Sequence, residues 1–303
     1  MSDREVMEYD VVVVGAGPSG LSAAIKLKQL SKEKNKELSV CVIEKGSEVG
    51  AHIVSGAVIE TKALDELIPD WKTKNCPLKI QATNDKFLYL TETKSFQLPT
   101  PPQMHNKGNY IISLSDFTKW LAEQAEALEV EIYPGFSASE VLFNEKDKVI
   151  GVATCDMGRL KDGTEGPNFE QGIELHATQT IFSEGCRGHL GKILMEKFNL
   201  NAENSPQTYG IGIKELWEVA PENSQPGSIM HTTGWPLKTD TYGGSFLYHL
   251  DNNKISIGFV IGLDYKNPYL SPYMEFQRFK HHPEIKKILE GGRRINYGAR
   301  ALN

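Results

Sequence analysis

The stretch YDVVVVGAGPSGLSAAIKLKQL, from Tyr9 to Leu30, constrains the fold more than any other part of the chain. Four consecutive valines form an apolar run with no polar alternation, the pattern of a strand buried on both faces. A glycine-rich turn follows, then an apolar-periodic segment that reads as a helix. SKEKNKE, Ser31 to Glu37, is a charged solvated loop, and LSVCVIEKG is a second buried strand ending at Glu44. Strand, helix and strand in this order make a βαβ unit and require a parallel sheet.

Gly15, Gly17 and Gly20 have the G-x-G-x-x-G spacing, with Ala16, Pro18 and Ser19 between them. Gly15 permits a tight turn, Gly17 lets backbone approach a pyrophosphate, and Gly20 lets helix and strand pack closely. The free amides and dipole at the helix start favour an anion there. Glu44, with Lys45 beside it, ends the next strand, 24 residues after Gly20. Its carboxylate suits ribose hydroxyls and would repel a 2′-phosphate, which disfavours NADP. A later turn, IFSEGCRGHLGKIL, places Glu184, Gly185 and Arg187 between a strand end and a helix. It looks like the second flavin motif of large FAD-dependent oxidoreductases, so FAD is the expected cofactor. Arg187 contacts flavin phosphates or caps a helix, and Glu184 is equally open.

The remaining chain mixes strands and helices before it turns β-rich. Residues 72–108 read as irregular and Pro-rich. GNYIISLSDFTKWLAEQAEAL gives a strand and a helix capped by Ser115 or Asp116, with Phe117, Trp120, Leu121, Ala125 and Leu128 on its apolar face. VEIYPG is a strand, SEVLFNEKDKVIGVAT a hairpin, and GIELHATQTIFSEG two short strands. Residues 205–270 are β-rich, and SPYMEFQRFKHHPEIKKILEGG is helical, closed by Gly291 and Gly292.

Composition excludes several classes. The net charge of −6 lacks the basic footprint of a nucleic-acid binder. The four cysteines, Cys41, Cys76, Cys155 and Cys186, are widely spaced and read as reduced thiols, with neither zinc nor an iron–sulfur cluster built from them. No histidine pair stands at ligand spacing beside a carboxylate, so no metal is expected. The longest apolar runs are about half the ~20 residues of a spanning helix, so any membrane contact is monotopic. No catalytic triad or acid/base dyad is evident. A flavin carries its own redox chemistry, so no catalytic side chain is assigned.

VGAHIVSGAVIETKALDELIPDW, Val49 to Trp71, places Ile59, Ala63, Leu64, Leu67, Ile68 and Trp71 at spacings of three to five, one face of a helix. The opposite face carries Lys62, Asp65, Glu66 and Asp70, too acidic for a typical interfacial helix, and favours a core helix. TYGGSFLYHL contains Gly243 and Gly244, which mark a bulge or a close approach to a ligand.

GAGPSGLSAAIKLKQL, GAHIVSGAVIE, LIPDWK, EGCRGHL, PQTYGIGIKELWEV, TYGGSFLYHL and YGARALN closely resemble segments of the electron transfer flavoprotein–ubiquinone oxidoreductases, and the resemblance covers essentially the whole chain. It implies a monotopic membrane flavoenzyme that carries FAD and one [4Fe–4S] cluster and passes electrons from reduced electron transfer flavoprotein to ubiquinone. Val11–Ile25 then corresponds to the FAD phosphate segment. Gly50–Trp71 corresponds to a segment that dips into the membrane, which turns Ile59, Leu64, Leu67, Ile68 and Trp71 into lipid contacts. Gly243 and Gly244 correspond to the ubiquinone site, where missing side chains would leave room for a flat head group.

Members of the family are longer, and their cluster cysteines, a second membrane-facing segment and a last flavin motif lie near the C-terminus. The chain therefore reads as an N-terminal portion without the cluster ligands. The absence of a transit sequence fits the cytoplasmic face of a bacterial inner membrane, or a trimmed mitochondrial protein on the matrix face. The expected fold is α/β: an FAD-binding Rossmann-like domain of the two-motif flavoprotein type with an inserted β-rich quinone-side domain. Its boundaries are 1–75 and 105–200 for FAD, 76–104 and 201–290 for quinone, and 291–303 returning towards the flavin. The rivals are an FAD reductase or monooxygenase using NAD(P)H, which lacks a second G-x-G-x-x-G here, and a non-enzymatic FAD-binding fragment.

Overall fold

The computed structural model describes residues 4–54 and 56–303. The first elements are β1 (Val6–Val14), α1 (Pro18–Glu33), β2 (Val40–Glu44), β3 (Ala57–Ile59), α2 (Lys62–Leu67), β4 (Ile80–Gln81), β5 (Asn84–Leu90), β6 (Ser95–Leu98), β7 (Tyr110–Ile112) and α3 (Leu114–Glu126). There follow β8 (Glu131–Pro134), β9 (Ala138–Phe143), β10 (Val149–Thr154), β11 (Met157–Arg159), β12 (Glu165–Glu170), β13 (Glu174–Phe182) and α4 (His189–Lys197). The last are β14 (Gly210–Glu218), β15 (Ser228–Gly234), β16 (Gly243–His249), β17 (Lys254–Gly262), α5 (Pro272–Lys280), α6 (Pro283–Leu289) and β18 (Arg293–Leu302).

The chain divides into two compact units. The first runs up to His52 and from Thr118 to Ser205; the second takes Ile53–Phe117 and Pro206–Asn303. These limits differ from the expected ones. Residues 53–75 and 105–117 fall in the second unit because β3 and β7 pair with each other and β4 pairs with β7. Residues 291–303 do not leave that unit: β18 lies along the whole of β14 as the sheet's edge strand.

Unit 1 is built on a six-stranded sheet in the order β8-β2-β1-β13-β10-β9. β1 lies between β2 and β13 and is parallel to both. Val11 to Val14 are accordingly all buried, since both faces of an interior parallel strand are covered. A side-chain staple fixes the register. The Ser39 amide and hydroxyl donate to Asp10 Oδ2 at 2.8 and 2.9 Å, and Ser39 Oγ accepts from the Asp10 amide at 2.8 Å. The backbone amide donated by Ser39 is the leading reason that the Asp10 carboxyl is held below its usual range. β9 and β10 form the expected hairpin. GIELHATQTIFSEG forms one nine-residue strand, not two, because β13 pairs with β1 along its length.

Unit 2 contains a seven-stranded sheet, β18-β14-β17-β16-β15-β5-β6, and a small sheet β3-β7-β4. One face of the large sheet forms the core with Phe259, Phe276 and Phe279, whose centroids lie 5.4–6.4 Å apart. The helical stretch after residue 270 is broken, because Pro283 disfavours helical geometry at His282. α5 starts at Ser271, whose hydroxyl accepts from the Met274 amide, and α6 starts at His282. Residues 72–108, read as irregular, hold β4, β5 and β6; β5 pairs in parallel with β15 over seven residues. α3 begins earlier than expected: the Ser113 hydroxyl accepts from the Asp116 amide at 3.3 Å, so Ser113 caps it in place of Ser115 or Asp116. Phe117, Trp120, Leu121 and Ala125 are buried on it as expected, and Leu128 lies just past its end, half-buried.

Glu215 ties the far edge of the sheet together. It is 2% exposed, and its carboxylate accepts from Lys280 Nζ at 2.9 and 2.8 Å, Arg294 Nη1 at 3.1 Å and Trp217 Nε1 at 2.8 Å. It thus connects β14 to α5 and to β18. Removing one member of a buried pair strands the other charge. Glu215→Ala should lower stability in urea by about 3–5 kcal/mol, while Glu215→Met with Lys280→Met should recover most of that loss.

Candidate dinucleotide site

Three loops meet at one edge of the unit 1 sheet because β2, β1 and β13 are neighbours and parallel. The turn after β1 carries Gly15–Gly20, β2 ends in Glu44, and the turn after β13 carries Glu184–Arg187. Ligands of parallel α/β sheets bind at this carboxyl edge.

The three glycines have three separate reasons. Gly15 has φ +105°, and a Cβ there would lie 2.6 Å from the Ser183 carbonyl oxygen. At Gly20 a Cβ would lie 2.2 Å from the Gly15 carbonyl oxygen and 3.1 Å from Val13 Cγ1, so α1 rests directly on the strand and turn. At Gly17 a Cβ would meet nothing within 4 Å. That open space adjoins the start of α1, where Gly17 is the N-cap, Pro18 opens the first turn and no side chain caps the amides. The first-turn amides of a helix have no intrahelical acceptors and form an anion site. The cradle therefore fits a pyrophosphate. Ala16 is buried, and Ser19 is exposed on the first turn.

Glu44 holds this turn in place. Its Oε2 accepts from the Ala16 amide at 3.0 Å and its Oε1 from the Gly46 amide at 2.8 Å. A carboxylate has about four lone-pair sites, so it retains capacity for ribose hydroxyls. Lys45 points to solvent. In the second turn Glu184 caps α4, its oxygens accepting from the Leu190 and Gly191 amides at 3.1 and 2.8 Å. Gly185 is exposed with φ +84°, and Arg187 is exposed. Ser183 was missed by sequence reasoning. Its amide donates to the Val14 carbonyl at 2.9 Å, and its own carbonyl faces Gly15, locking the two turns together. No local pattern distinguishes it from other serines.

The other assigned residues lie in unit 2. The stretch Ile59–Trp71 is not one helix: Ile59 ends β3, α2 has six residues, and Trp71 opens a short 3₁₀ turn. Leu64, Ile68 and Trp71 are 4%, 3% and 4% exposed, so they do not contact lipid as expected; Ile59 and Leu67 are half-buried. Trp71 packs edge-on against Tyr110 at 5.9 Å and donates from Nε1 to Asp65 Oδ1 at 2.7 Å. Gly243 and Gly244 open β16, but the expected vacancy beside them is filled. A Cβ on Gly243 would lie 2.3 Å from the Val260 carbonyl oxygen and 2.5 Å from Leu237 Cδ1, and one on Gly244 would lie 2.7 Å from the Thr232 carbonyl oxygen. These glycines let strands and side chains close up.

Among the described residues no group of three or more His, Cys, Asp or Glu side chains is placed to hold a metal ion. Cys41 and Cys76 are buried, and burial pushes their thiols up to about 12 and about 11, which disfavours the thiolate a cluster ligand needs. The cysteines present do not fit an iron–sulfur cluster.

The sheet order and the glycine cradle define an α/β dinucleotide-binding protein of the Rossmann type with a second, β-rich unit. The profile described as "NAD(P)-binding Rossmann-like domain" matches residues 13–70, and "ETF-QO, ubiquinone-binding" matches residues 209–302. The chain is 59% identical over 99% of its length to the mitochondrial electron transfer flavoprotein–ubiquinone oxidoreductase of Dictyostelium discoideum, covering 50% of that protein. It is 55% identical over 99% of its length to a bacterial counterpart from Acinetobacter baylyi, covering 54% of it. A myxobacterial chondrochloren halogenase, described as a variant of FAD-dependent halogenases, shares the fold, with TM-score 0.64 at 17% identity over 98% of this chain and 64% of that one. Along nearly its whole length the chain is similar in sequence to electron transfer flavoprotein–ubiquinone oxidoreductases. It spans about half the length of the curated relatives it matches.

Two outcomes follow. Gly17→Ala should leave stability within about 1 kcal/mol yet lose bound dinucleotide, whereas Gly20→Ala should destabilise by about 3 kcal/mol or more through overpacking; melting curves and nucleotide released on heating separate the two. Leu64→Asp should unfold unit 2 in a thermal melt by burying a charge, where a lipid-facing residue would leave the melt unchanged.

Proposed function

We propose that this chain holds FAD in unit 1 and a quinone on unit 2, and takes part in passing electrons from reduced electron transfer flavoprotein to ubiquinone. The observation that carries the reading is the meeting of the open Gly17 cradle, Glu44 and the Glu184–Arg187 turn at one sheet edge, in a chain 59% identical to a protein of that name. In this assignment Gly15–Gly20 take the pyrophosphate and Glu44, with Lys45 beside it, the ribose. Arg187 stands at the second turn, where the cap of α4 is already supplied by Glu184. Bound FAD supplies the redox chemistry, and the protein supplies binding and orientation.

Gly243 and Gly244 lie inside the matched segment 209–302, and the quinone is assigned to the sheet face that Gly244 borders. Among the described residues no helix is long and apolar enough to cross a membrane, which is compatible with monotopic attachment at an inner membrane. A quinone of this class partitions into lipid, so attachment would bring substrate and site together.

The test is an anaerobic visible spectrum of the purified chain, followed by reduction and addition of a short-chain ubiquinone analogue. The expected result is a flavin band that bleaches and returns with quinone. A chain that never retains flavin overturns the assignment of a complete FAD site to these residues. Rapid bleaching by NADH would favour a nicotinamide-dependent reductase.

A further inference from the structure

The large sheet of unit 2 has a second face, away from the phenylalanine core. On β14, Ile211, Ile213 and Trp217 pack against that core and Glu215 bonds to α5, so alternation puts Gly212 and Lys214 on the other face. Register fixes the rest. Lys214 pairs with Gly258, which pairs with Phe246; in the next row Gly212 pairs with Val260, which pairs with Gly244. Lys214 therefore stands, on this face, one row from Gly244.

The surroundings of Lys214 are unusual for a lysine. Its ammonium donates to the Gly56 carbonyl at 3.2 Å and lies 5.3 Å from the centroid of the Phe246 ring. The end of that ring occupies the place of a Gly258 side chain: a Cβ there would be 2.2 Å from Phe246 Cζ. Among the described residues Lys214 forms no salt bridge, and its charged neighbour is another cation, Arg300. Desolvation, then Arg300, holds its pKa below the usual lysine range. A partly desolvated cation without a carboxylate costs stability, and folds keep such costs mainly where function needs them. The ammonium has three donors and one is accounted for by Gly56.

We propose that Lys214 is a substrate-binding residue: its ammonium donates a hydrogen bond to a carbonyl oxygen of a neutral quinone head group lying along the Phe246 side of this face. This rests on the quinone reading given above. A neutral oxygen acceptor suits a desolvated lysine, and the hydrogen bond strengthens as negative charge builds on that oxygen. Phe246 is itself stacked on Tyr248, with centroids 4.6 Å apart, so the two rings form an apolar border beside the ammonium.

The experiment is quenching of the chain's four tryptophans by a short-chain ubiquinone analogue. Lys214→Met keeps the length and apolar stem and should raise Kd about tenfold, the worth of one charge-assisted hydrogen bond. Lys214→Arg should stay within about threefold, because the charge and a donor remain. A second measurement needs no variant: the dimethyl ether of the reduced analogue lacks the carbonyl oxygens and should bind wild type about tenfold more weakly. Equal Kd for quinone and ether in wild type, or unchanged quinone Kd in folded Lys214→Met, overturns the role of Lys214 and leaves the quinone reading standing. Absence of saturable quenching in wild type overturns that reading and this inference with it.

Discussion

The approach of α1 to β1 at Gly20 is the contact on which the rest of unit 1 depends. The helix can sit there only because no side chain separates it from the Gly15 carbonyl, 2.2 Å from the missing Cβ. Once α1 is seated, its first-turn amides face the end of β1. Glu44 then reaches the Ala16 amide from β2, and Ser183 closes on Gly15 from β13. Each of these contacts uses the backbone of the turn. The cradle at Gly17 is what remains open when the surrounding space has been filled. The site is a by-product of close packing in a parallel sheet, and its chemistry follows from amides rather than from titrating side chains.

Unit 2 shows how one strand serves two purposes. Glu215 and Lys214 are neighbours in sequence and point to opposite faces of β14. Glu215 is buried among Lys280, Arg294 and Trp217, all of which satisfy it. Lys214 has a carbonyl and an aromatic ring for company. The first is a structural charge, tied to the helix and the edge strand that complete the fold. The second is an exception to the rule that desolvated charges are paired. Alternation along a strand is enough to separate structural from functional charge at adjacent positions.

Much of this architecture was legible in the residues. Val11–Val14, the glycine spacing and Glu44 determined the βαβ unit, because an unbroken apolar strand and a glycine turn admit few folds. The turn at Glu184–Arg187 was also found, though its glutamate proved to cap α4. Other parts were hidden. β5 was missed because Pro-rich flanks masked the alternation of NDKFLYL, and its partner β15 lies far along the chain. The apolar spacing of Ile59 to Trp71 was real, but spacing tells only that residues share a side, not whether core or lipid covers it. Lys214 went unremarked because a lone lysine within an alternating strand is ordinarily a solvent-facing residue.

Glycine makes the limit of sequence reasoning concrete. Gly17, Gly20 and Gly243 are the same letter, and each was assigned to close approach by something. At Gly20 the approaching partner is the protein's own turn, at Gly243 it is a neighbouring strand and Leu237, and only at Gly17 is the space empty. A missing side chain states that two things come close; it does not state what the second thing is. The distinction rests on what a Cβ would touch. On that measure Gly17, at the start of an uncapped helix, is the glycine whose vacancy points to a ligand, and the quinone must be sought instead through the side chains of the face that Gly244 borders.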